Sequence, residues 1–478
     1  MPSLKRTLSL QSTIAIVIGG VIGSGIFMKP AVMASQLGSP LLLLSVWVVA
    51  GIITLFGALS NAELASLFPE TGGQYVFFRK IYGDRFAFVY GWSAFAVFNT
   101  GGNASIAYVC SQYLNYFVEL PRLNGVTEHA LRWHIPFVGD IFPLENIGTK
   151  ALTILIILFL TWLSYRSVMY GSRLQRVFTL LKAMAILALI GGLLGSGRGD
   201  MGNLQDTLPQ MPSGWQLVSA YMMAIAGAFW AYDGWNNISF VAGEIKEPQK
   251  NIPKSLFLGL SFCILVYTLI NLAYSYVLPV QPLAGSSFVA SDAAERVWGH
   301  AGGAFIALIV IISTFGTANA NVLATARVTF AMGGGSRALS VAGRVHPRFS
   351  TPGNALWINA AWTVLLIISG SFDMLTDMLI FVSWFFYGMS AFGVLLLRRR
   401  MPATERPYKV WGYPVVPVVF VLFTAFFLVS TLITDISNYT NGKTPVINAL
   451  LGMLISLAGL PLYFILSGKE KRPQKTVS

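Results

Sequence analysis

Long apolar runs, separated by short polar segments, divide the chain into stretches of membrane-spanning length. A helix needs about 20 apolar residues to cross a hydrocarbon core of about 30 Å. The pattern predicts twelve transmembrane helices over residues 12–35, 41–67, 84–118, 149–166, 171–195, 214–243, 253–279, 302–332, 355–371, 375–397, 414–434 and 446–467. We therefore expect an all-α polytopic membrane protein.

Small and polar residues interrupt two of these runs. The first predicted helix breaks at Gly23-Ser24-Gly25, and the sixth breaks between Phe229 and Asn237. Glycine and serine hold a helix poorly, and a helix in lipid unwinds only where its freed backbone groups find other partners. The two breaks lie five helices apart, so the second set of helices would enter the membrane from the opposite side. Paired breaks in inverted halves are typical of a transporter binding site.

This pairing predicts a five-plus-five inverted repeat with two added helices, in which helices 1 and 6 are unwound. Residues 1–195 would form the first repeat, and residues 196–400 the second. Residues 401–478 would hold helices 11 and 12 and a cytoplasmic tail.

Composition and charge support a membrane protein. The chain is 55% hydrophobic and 11% charged, with a mean hydropathy of +0.65, whereas a soluble chain is about 25% charged. The net charge of +13 does not indicate nucleic-acid binding, because the charges lie between the apolar runs. Loops on the side of both termini hold about four times as many Lys and Arg residues as the opposite loops, which predicts cytoplasmic termini.

Other chemistry has little support in the sequence. There is no P-loop motif, and the two cysteines, Cys110 and Cys263, lie inside apolar runs, which excludes a disulfide framework. No histidine pair has helical metal-ligand spacing, and no nucleophile–base pair appears in the spans. We expect no cofactor, no metal and no enzymatic activity.

The first break predicts hydrogen-bond donors. A half-helix that begins near Gly25 offers the N–H groups of Gly23, Ser24 and Gly25 at its positive end, which suits a carboxylate. The alternative is a packing face of small residues, because Gly19 and Gly23 form a GxxxG pair.

The second break predicts hydrogen-bond acceptors. Its presence favours ligand binding over small-residue packing as the interpretation of the first break. Carbonyls near the end of the first half-helix, at residues 229–232, suit an ammonium group. Carboxylate and ammonium on neighbouring atoms describe an α-amino acid. Trp230 and Trp235 could cover such a ligand or serve in packing. Asp233 could bind a cationic side chain, a proton or an internal partner.

Three more charged residues lie within predicted spans. Lys182, deep in the fifth helix, could bond the loose carbonyls of the first break and replace a bound cation, or could carry a proton. Lys29 is interpreted as a solvated charge in an outer vestibule. Glu63 is interpreted as an interfacial cap or an ion-pair partner.

An ordered set of motifs over nearly the whole chain resembles the amino acid–polyamine–organocation superfamily, and within it the L-type amino acid transporters and their bacterial relatives. The motifs are Ile22-Gly23-Ser24-Gly25-Ile26-Phe27, Glu70-Thr71-Gly72-Gly73, Trp230-Ala231-Tyr232-Asp233-Gly234-Trp235-Asn236, Gly243-Glu244-Ile245-Lys246-Glu247-Pro248, Asn251-Ile252-Pro253, Tyr267-Thr268-Leu269-Ile270-Asn271, Phe315-Gly316-Thr317-Ala318-Asn319 and Arg406-Pro407-Tyr408-Lys409. The resemblance implies the LeuT-like inverted-repeat fold and sodium-independent amino acid exchange by alternating access.

The resemblance also implies roles for individual residues. The substrate carboxylate would be held by Gly23, Ser24 and Gly25. The substrate amine would be held by the carbonyls of Val21 and Trp230 and by the backbone near Asp233. Trp230 would close the outer gate, and Asn236 would be a polar residue on the substrate side. Lys182 would take the sodium position, with Tyr267 as its partner at the first break.

Two features depart from the family pattern. Many eukaryotic members have glycine at the position of Asp233, and members with aspartate include transporters of both cationic and small neutral amino acids. The outer segment from Glu119 to Thr149 lacks the cysteine by which mammalian members bind a heavy chain. We therefore expect a bacterial inner-membrane exchanger of neutral amino acids that works without this partner.

Several alternatives stay open at this point. Proton-coupled uptake would use Lys182 or Asp233, and transport of cationic amino acids or polyamines would use Asp233. A channel or a non-transporting sensor belongs to a different class, which saturable uptake stimulated by internal substrate would exclude.

Overall fold

The computed structural model describes residue 6 and residues 8–70, 72–166, 182–335, 340–349 and 351–467. Most of these residues are helical. The helices are α1 (Leu10–Val21), α2 (Gly25–Leu37), α3 (Pro40–Leu67), α4 (Gln74–Tyr82), α5 (Asp84–Ser93), α6 (Thr100–Leu114), α7 (Gly125–Glu128), α8 (Ile147–Arg166), α9 (Lys182–Leu194), α10 (Gly214–Tyr232), α11 (Asn237–Phe240), α12 (Pro248–Val277), α13 (Val280–Gly285), α14 (Val289–Trp298), α15 (His300–Gly335), α16 (Gly353–Ser369), α17 (Phe372–Arg400), α18 (Val415–Thr440), α19 (Asn448–Leu457) and α20 (Gly459–Ser467). A π-helical turn covers Ala94–Asn99, and 3₁₀ turns cover Met201–Leu204 and Ala242–Glu244.

Long apolar helices dominate the described residues. Seven of them are long and apolar enough to cross a membrane, and α1 with α2 makes an eighth if the bent pair is one span. A polytopic helical protein is therefore confirmed. The count of twelve, the inverted repeat and its boundaries at residues 195 and 400 remain predictions. Residues 171–181 of the predicted fifth helix lie outside the described residues.

The first predicted break is present. Helix α1 begins after Ser9, whose side-chain oxygen accepts a hydrogen bond from the Ser12 N–H at 3.4 Å. It ends at Val21, and α2 starts at Gly25 with its axis bent by 44° from that of α1. Two glycines and a serine so close together do not sustain the helical hydrogen-bond ladder, as the sequence indicates.

The second predicted break is also present. Helix α10 stops at Tyr232, inside the interval of residues 229–237 where the sequence predicts the interruption, and the span predicted to residue 243 does not continue as a regular helix. Gly234 adopts a φ of +104°, which glycine tolerates far better than other residues. The chain then re-forms only the one-turn helix α11 and a 3₁₀ turn.

The predicted third helix, over residues 84–118, contains an irregularity that the apolar pattern does not show. Helices α5 and α6 are joined by the π-helical turn Ala94–Asn99. A π turn inserts one extra residue into a helix and is common at functional sites. The turn ends at Asn99, so this residue lies where the helical register changes.

Two features of the loops were not predicted. Strand β1 (Trp133–Ile135) pairs antiparallel with strand β2 (Gly139–Ile141), so the prediction of an all-α chain is wrong in this detail. Arg132 and His134 bind the Asp140 carboxylate in this hairpin and lower its pKa. Helices α13 and α14 follow α12, and the buried face of α14 packs against α15.

Packing between helices places both breaks in the interior. Helix α12 packs along α3 and α1, and α10 packs against α2 and α3. Helix α6 packs against α15 and α17. The breaks therefore lie between two groups of helices, where their freed backbone groups are shielded from lipid, as the bilayer requires.

A buried ion pair joins α3 to the end of α17. The Glu63 carboxylate, 2% exposed, accepts hydrogen bonds from Arg398 at 2.9 and 2.7 Å and from the Val410 N–H at 2.8 Å. Arg406 lies 3.3 Å from the same carboxylate. The prediction of an ion-pair partner at Glu63 is confirmed, and the burial of its side chain excludes a purely interfacial cap.

Candidate substrate site

Close backbone contacts bring the two breaks together. A Cβ added at Gly234 would lie 2.5 Å from the carbonyl oxygen of Gly20, and a Cβ added at Gly25 would lie 2.6 Å from the Cα of Ala231. Real Cβ atoms do not approach other atoms so closely. Glycine at these positions therefore allows α1 and α2 to touch the end of α10, and Gly25 has a packing role whatever it binds.

The first break presents unpaired donors. Within the described ranges, the N–H groups of Ser24, Gly25 and Ile26 meet no hydrogen-bond acceptor. The Ser24 hydroxyl, on a side chain that is almost fully buried, also lacks a partner among the described residues. Free N–H groups at the start of a helix of 13 residues attract anions. This end of α2 can therefore hold a carboxylate.

The second break presents acceptors, some of which are already engaged. The Trp230 carbonyl accepts a bond from the Asp233 N–H at 3.3 Å. The Tyr267 hydroxyl lies 2.8 Å from the Val21 carbonyl oxygen and 3.0 Å from that of Ala231, so it bridges both breaks. A carbonyl oxygen has two lone pairs, and the carbonyls of Val21 and Trp230 can therefore still accept an ammonium proton.

A cavity of about 70 Å³ lies between the breaks and the helices opposite them. It is lined by Gly20, Val21, Gly23, Ser24, Gly25, Phe98, Asn99, Gly102, Ile106, Trp230, Ala231, Asp233, Gly234, Asn236, Asn237, Thr317, Asn321, Thr325, Leu379 and Tyr387. Every residue for which the sequence predicts direct substrate contact is among them. Lys182 and Tyr267, which the resemblance assigns to supporting roles, are not.

Asp233 faces this cavity and has an internal side-chain partner. Its carboxylate accepts a hydrogen bond from the Tyr387 hydroxyl at 2.6 Å. No basic side chain pairs with it in the part of the chain that the structure describes. The sequence left three roles open for Asp233, and the structure shows one of them, an internal partner. Binding of a cation or a proton remains a prediction.

The two tryptophans of the second break differ in their surroundings. Trp230 lines the cavity, and its ring packs edge-on against Phe372 with centroids 6.3 Å apart. Its indole N–H has no partner among the described residues. Trp235 is 2% exposed, packs against Tyr387 with centroids 4.9 Å apart and is not part of the cavity lining. Trp230 is thus placed to cover a ligand, and Trp235 serves in packing.

Lys182 contacts the backbone of the first break. Its ammonium donates to the Gly19 carbonyl at 2.8 Å and to the Ile22 carbonyl. These are loose carbonyls at the end of α1, the partners that the sequence predicts for this lysine. That the Lys182 ammonium takes the position of a bound sodium ion remains a prediction.

The prediction for Lys29 is wrong. This side chain is 3% exposed rather than solvated, and its ammonium pairs with Asp373 at 2.8 Å and Thr376 at 3.0 Å. It also lies 4.8 Å from the centroid of Phe372, the ring that contacts Trp230. The partner is 344 residues away in the sequence, so no local pattern could indicate it.

Several cavity residues were missed by sequence reasoning. They are Asn99, Asn237, Thr317, Asn321, Thr325 and Tyr387. A signal did exist for Asn99 and Asn321, because each is an amide inside an apolar run of membrane-spanning length. Such residues tend to face a protein interior or a water-filled cavity rather than lipid.

The described residues contain no group of histidine, cysteine, aspartate and glutamate side chains that could hold a metal ion. The cysteines Cys110 and Cys263 are buried and unpaired.

Comparison with known proteins identifies the relatives of the chain. The model of a family described as amino acid permease matches residues 8–457. The serine/threonine exchanger SteT of Bacillus subtilis (strain 168) is 30% identical over 476 residues, which cover 98% of each chain.

Mammalian transporters are similar at the same level. The large neutral amino acids transporter small subunit 2 of Homo sapiens is 31% identical over 467 residues, 97% of this chain and 81% of that protein. The Asc-type amino acid transporter 1 of Homo sapiens is 30% identical over 467 residues, with 97% and 82% covered. By their names these relatives are transporters of amino acids.

Proposed function

Because the chain belongs to the amino acid permease family, we propose that it is a sodium-independent exchanger of neutral L-amino acids that works by alternating access. The observation that carries this proposal is the cavity between the breaks, which has unpaired N–H groups on one side and carbonyls with Asp233 on the other. An α-amino acid has complementary groups on neighbouring atoms. The exchanger named among the relatives supports exchange over uptake.

The proposed site uses the backbone for recognition. The N–H groups at Gly23, Ser24 and Gly25 bind the carboxylate, where the dipole of α2 favours negative charge. The carbonyls of Val21 and Trp230 and the region of Asp233 bind the ammonium. These contacts are common to all α-amino acids, so they provide affinity without selecting a side chain.

Other residues support the transport cycle in this proposal. Trp230 covers the substrate on the outer side and moves with the second break. Asn236 contacts the substrate beside it. The Lys182 ammonium holds the Gly19 and Ile22 carbonyls where a sodium ion would otherwise bind, and Tyr267 fixes the Val21 carbonyl. A fixed positive charge at this position makes sodium unnecessary.

The main test compares two glycines in counterflow. A Cβ at Gly23 would meet only the Val21 carbonyl, at 3.7 Å, whereas one at Gly25 would clash with Ala231. In proteoliposomes preloaded with amino acid, we expect Gly23→Leu to reduce exchange of alanine and leucine more than tenfold while thermal stability stays near that of the wild type. Gly25→Leu should lose both exchange activity and thermal stability. Normal exchange by Gly23→Leu would show that the carboxylate site is wrongly assigned.

Asp233 gives reason to keep a second candidate function. Its carboxylate lines the cavity without a basic partner in the described ranges, so it could take up a proton or a cationic substrate. Proton-coupled uptake predicts accumulation into empty vesicles driven by a pH gradient. Transport of arginine or a polyamine predicts strong competition by these compounds and loss of that competition in Asp233→Asn. Exchange that needs internal amino acid and ignores the pH gradient would exclude both.

The cellular setting is part of the same proposal. We place the chain in a bacterial inner membrane with both termini in the cytoplasm, as the loop charges favour. The outer segment from Glu119 to Thr149 contains no cysteine, so no disulfide-linked heavy chain is expected. Residues 1–195 and 196–400 would form the two inverted repeats, with residues 401–478 added. Exchange by the purified chain alone would establish its independence.

A further inference from the structure

The hairpin of β1 and β2 ends in a tight turn with an aromatic residue at its tip. In the turn Ile135-Pro136-Phe137-Val138, the Val138 N–H donates to the Ile135 carbonyl at 3.1 Å, and Phe137 has a φ of +66°. Proline at the second position and a positive φ at the third are typical of a type II turn, in which the third residue is usually glycine or asparagine. Phenylalanine is therefore an unfavourable choice for the backbone at this position.

The Phe137 side chain is also in an unfavourable environment for an aromatic ring. It is 89% exposed, whereas the neighbouring Val138 is fully buried. Exposure of a large apolar ring to water contributes nothing to folding, and its left-handed backbone conformation costs free energy as well. An apolar surface outside the chain that covers the ring would account for its presence at the tip of the turn.

Hydrogen bonds fix the position of this turn relative to α19. The Asp140 N–H donates to the Pro445 carbonyl at 2.8 Å, and the Ile447 N–H donates to the Val138 carbonyl at 2.9 Å. A Cβ added at Gly139 would overlap the Pro445 carbonyl oxygen, so β2 packs directly against the segment that precedes α19. Phe137 is therefore held beside the first residues of α19.

The start of α19 indicates the level of Phe137 in the membrane. Helices α19 and α20 together form the candidate span Asn448–Leu466, which has 19 residues. At 1.5 Å per residue this span is about 28 Å long, close to the hydrocarbon thickness of about 30 Å. Because the span has no excess length, Asn448 lies near the boundary of the hydrocarbon. Phe137, which precedes the residue bonded to Ile447, lies near the same boundary.

The helices beside the hairpin face lipid. In the most apolar stretch of each span, 28% of the residues of α19–α20 and 33% of those of α18 are buried in the protein, against 72% for α17. The hairpin therefore lies at the periphery of the helices. Trp133, at the other end of β1, is half-exposed. Aromatic side chains are enriched where a membrane protein meets the lipid headgroups.

We propose that the β1–β2 hairpin is a membrane-interface anchor whose partner is the lipid bilayer. The Phe137 ring inserts among the headgroups and the first acyl carbons on the side of the bilayer where α19 begins, and Trp133 flanks it. The bonds to Pro445 and Ile447 then hold the α6–α8 connection and the start of α19 at one level of the membrane. This inference depends on the membrane-spanning helices and not on the substrate site.

Spin labels at two positions provide the test. Cys110 and Cys263 are buried, so a thiol-reactive label attaches to an introduced cysteine. Phe137→Cys places the label at the turn, and Lys443→Cys places it in the exposed loop before Pro445 as a matched control. In nanodiscs of phosphatidylcholine and phosphatidylglycerol, we expect the ratio of collisions with oxygen to collisions with a water-soluble nickel chelate to be about fivefold higher at position 137, because an interfacial side chain lies 5–10 Å into the headgroup and acyl boundary.

The other outcomes would overturn the proposal. Equal ratios at the two positions would mean that the turn lies in water. A label at position 137 that is shielded from both oxygen and the chelate would mean that protein, either a second copy of the chain or another partner, covers the ring instead of lipid.

A second pair of variants tests the same contact if Phe137→Cys fails to fold. Phe137→Trp keeps an aromatic ring at the turn. We expect its added fluorescence to be quenched by lipids brominated near the headgroup more strongly than that of Lys443→Trp, with the wild-type signal subtracted from both. Equal quenching would overturn the proposal.

Discussion

Two buried lysines, Lys29 and Lys182, lie on helices of the membrane-spanning core and have opposite kinds of partner. They are 3% and 4% exposed, respectively. The ammonium of Lys182 binds the carbonyls of Gly19 and Ile22, and no carboxylate contacts it in the described residues. The ammonium of Lys29 instead pairs with the Asp373 carboxylate, 2.8 Å away.

The difference lies in what each lysine leaves behind when it is removed. The carbonyls at Lys182 belong to an unwound helix in the protein interior, so loss of the ammonium removes the charged donor that satisfies them. The Asp373 side chain is 58% exposed, so water can hydrate it when Lys29 is lost. Lys182 thus supports a backbone conformation, whereas Lys29 joins α2 to α17 beside Phe372, the ring that contacts Trp230.

The largest effect is expected for Lys182→Met. The change keeps the apolar stem but removes hydrogen bonds from a charged donor, which are worth about 1.5–3 kcal/mol each. We expect counterflow to fall about 100-fold and the Tm of the purified protein to decrease. Lys443→Met, in an exposed loop, is the matched control. Exchange within threefold of the wild type would mean that the break keeps its shape without this ammonium.

A smaller effect is expected for Lys29→Met. The lost ion pair is half exposed, and such pairs contribute about 1 kcal/mol or less at a surface and more when partly buried. We expect a decrease in exchange of about three- to tenfold. Asp373→Asn should have a similar effect, and the double variant should be no worse than either single variant, as measured by counterflow. Additive losses would show that the two residues act independently.

The smallest effect is expected for Thr376→Val. This change removes a neutral hydroxyl that accepts from the Lys29 ammonium at 3.0 Å but preserves side-chain volume and the ion pair with Asp373. We expect exchange to fall less than threefold in the same assay. A loss as large as that of Lys29→Met would place the main contribution of Lys29 in the hydroxyl contact rather than in the ion pair.

The parts of the site that could be predicted are those identified by residues close together in the sequence. Glycines and a serine in one apolar run, and an acid with a glycine in another, identify both breaks because helix formation depends on neighbouring residues. The position of Lys182 deep within an apolar run likewise indicated that its ammonium could bind backbone carbonyls. The pattern could not find the π turn that ends at Asn99, since apolar character persists through it.

Sequence alone determined that the chain is a helical membrane protein, that two of its helices are broken and that their backbones suit an α-amino acid. These properties follow from hydrophobicity and from local backbone preferences. Only the tertiary structure decided that Lys29 is buried against Asp373, that Tyr267 bridges both breaks and that the Tyr387 hydroxyl bonds Asp233 at the cavity. Such contacts join residues far apart in the sequence, and their partners are chosen by helix packing, which no local pattern contains.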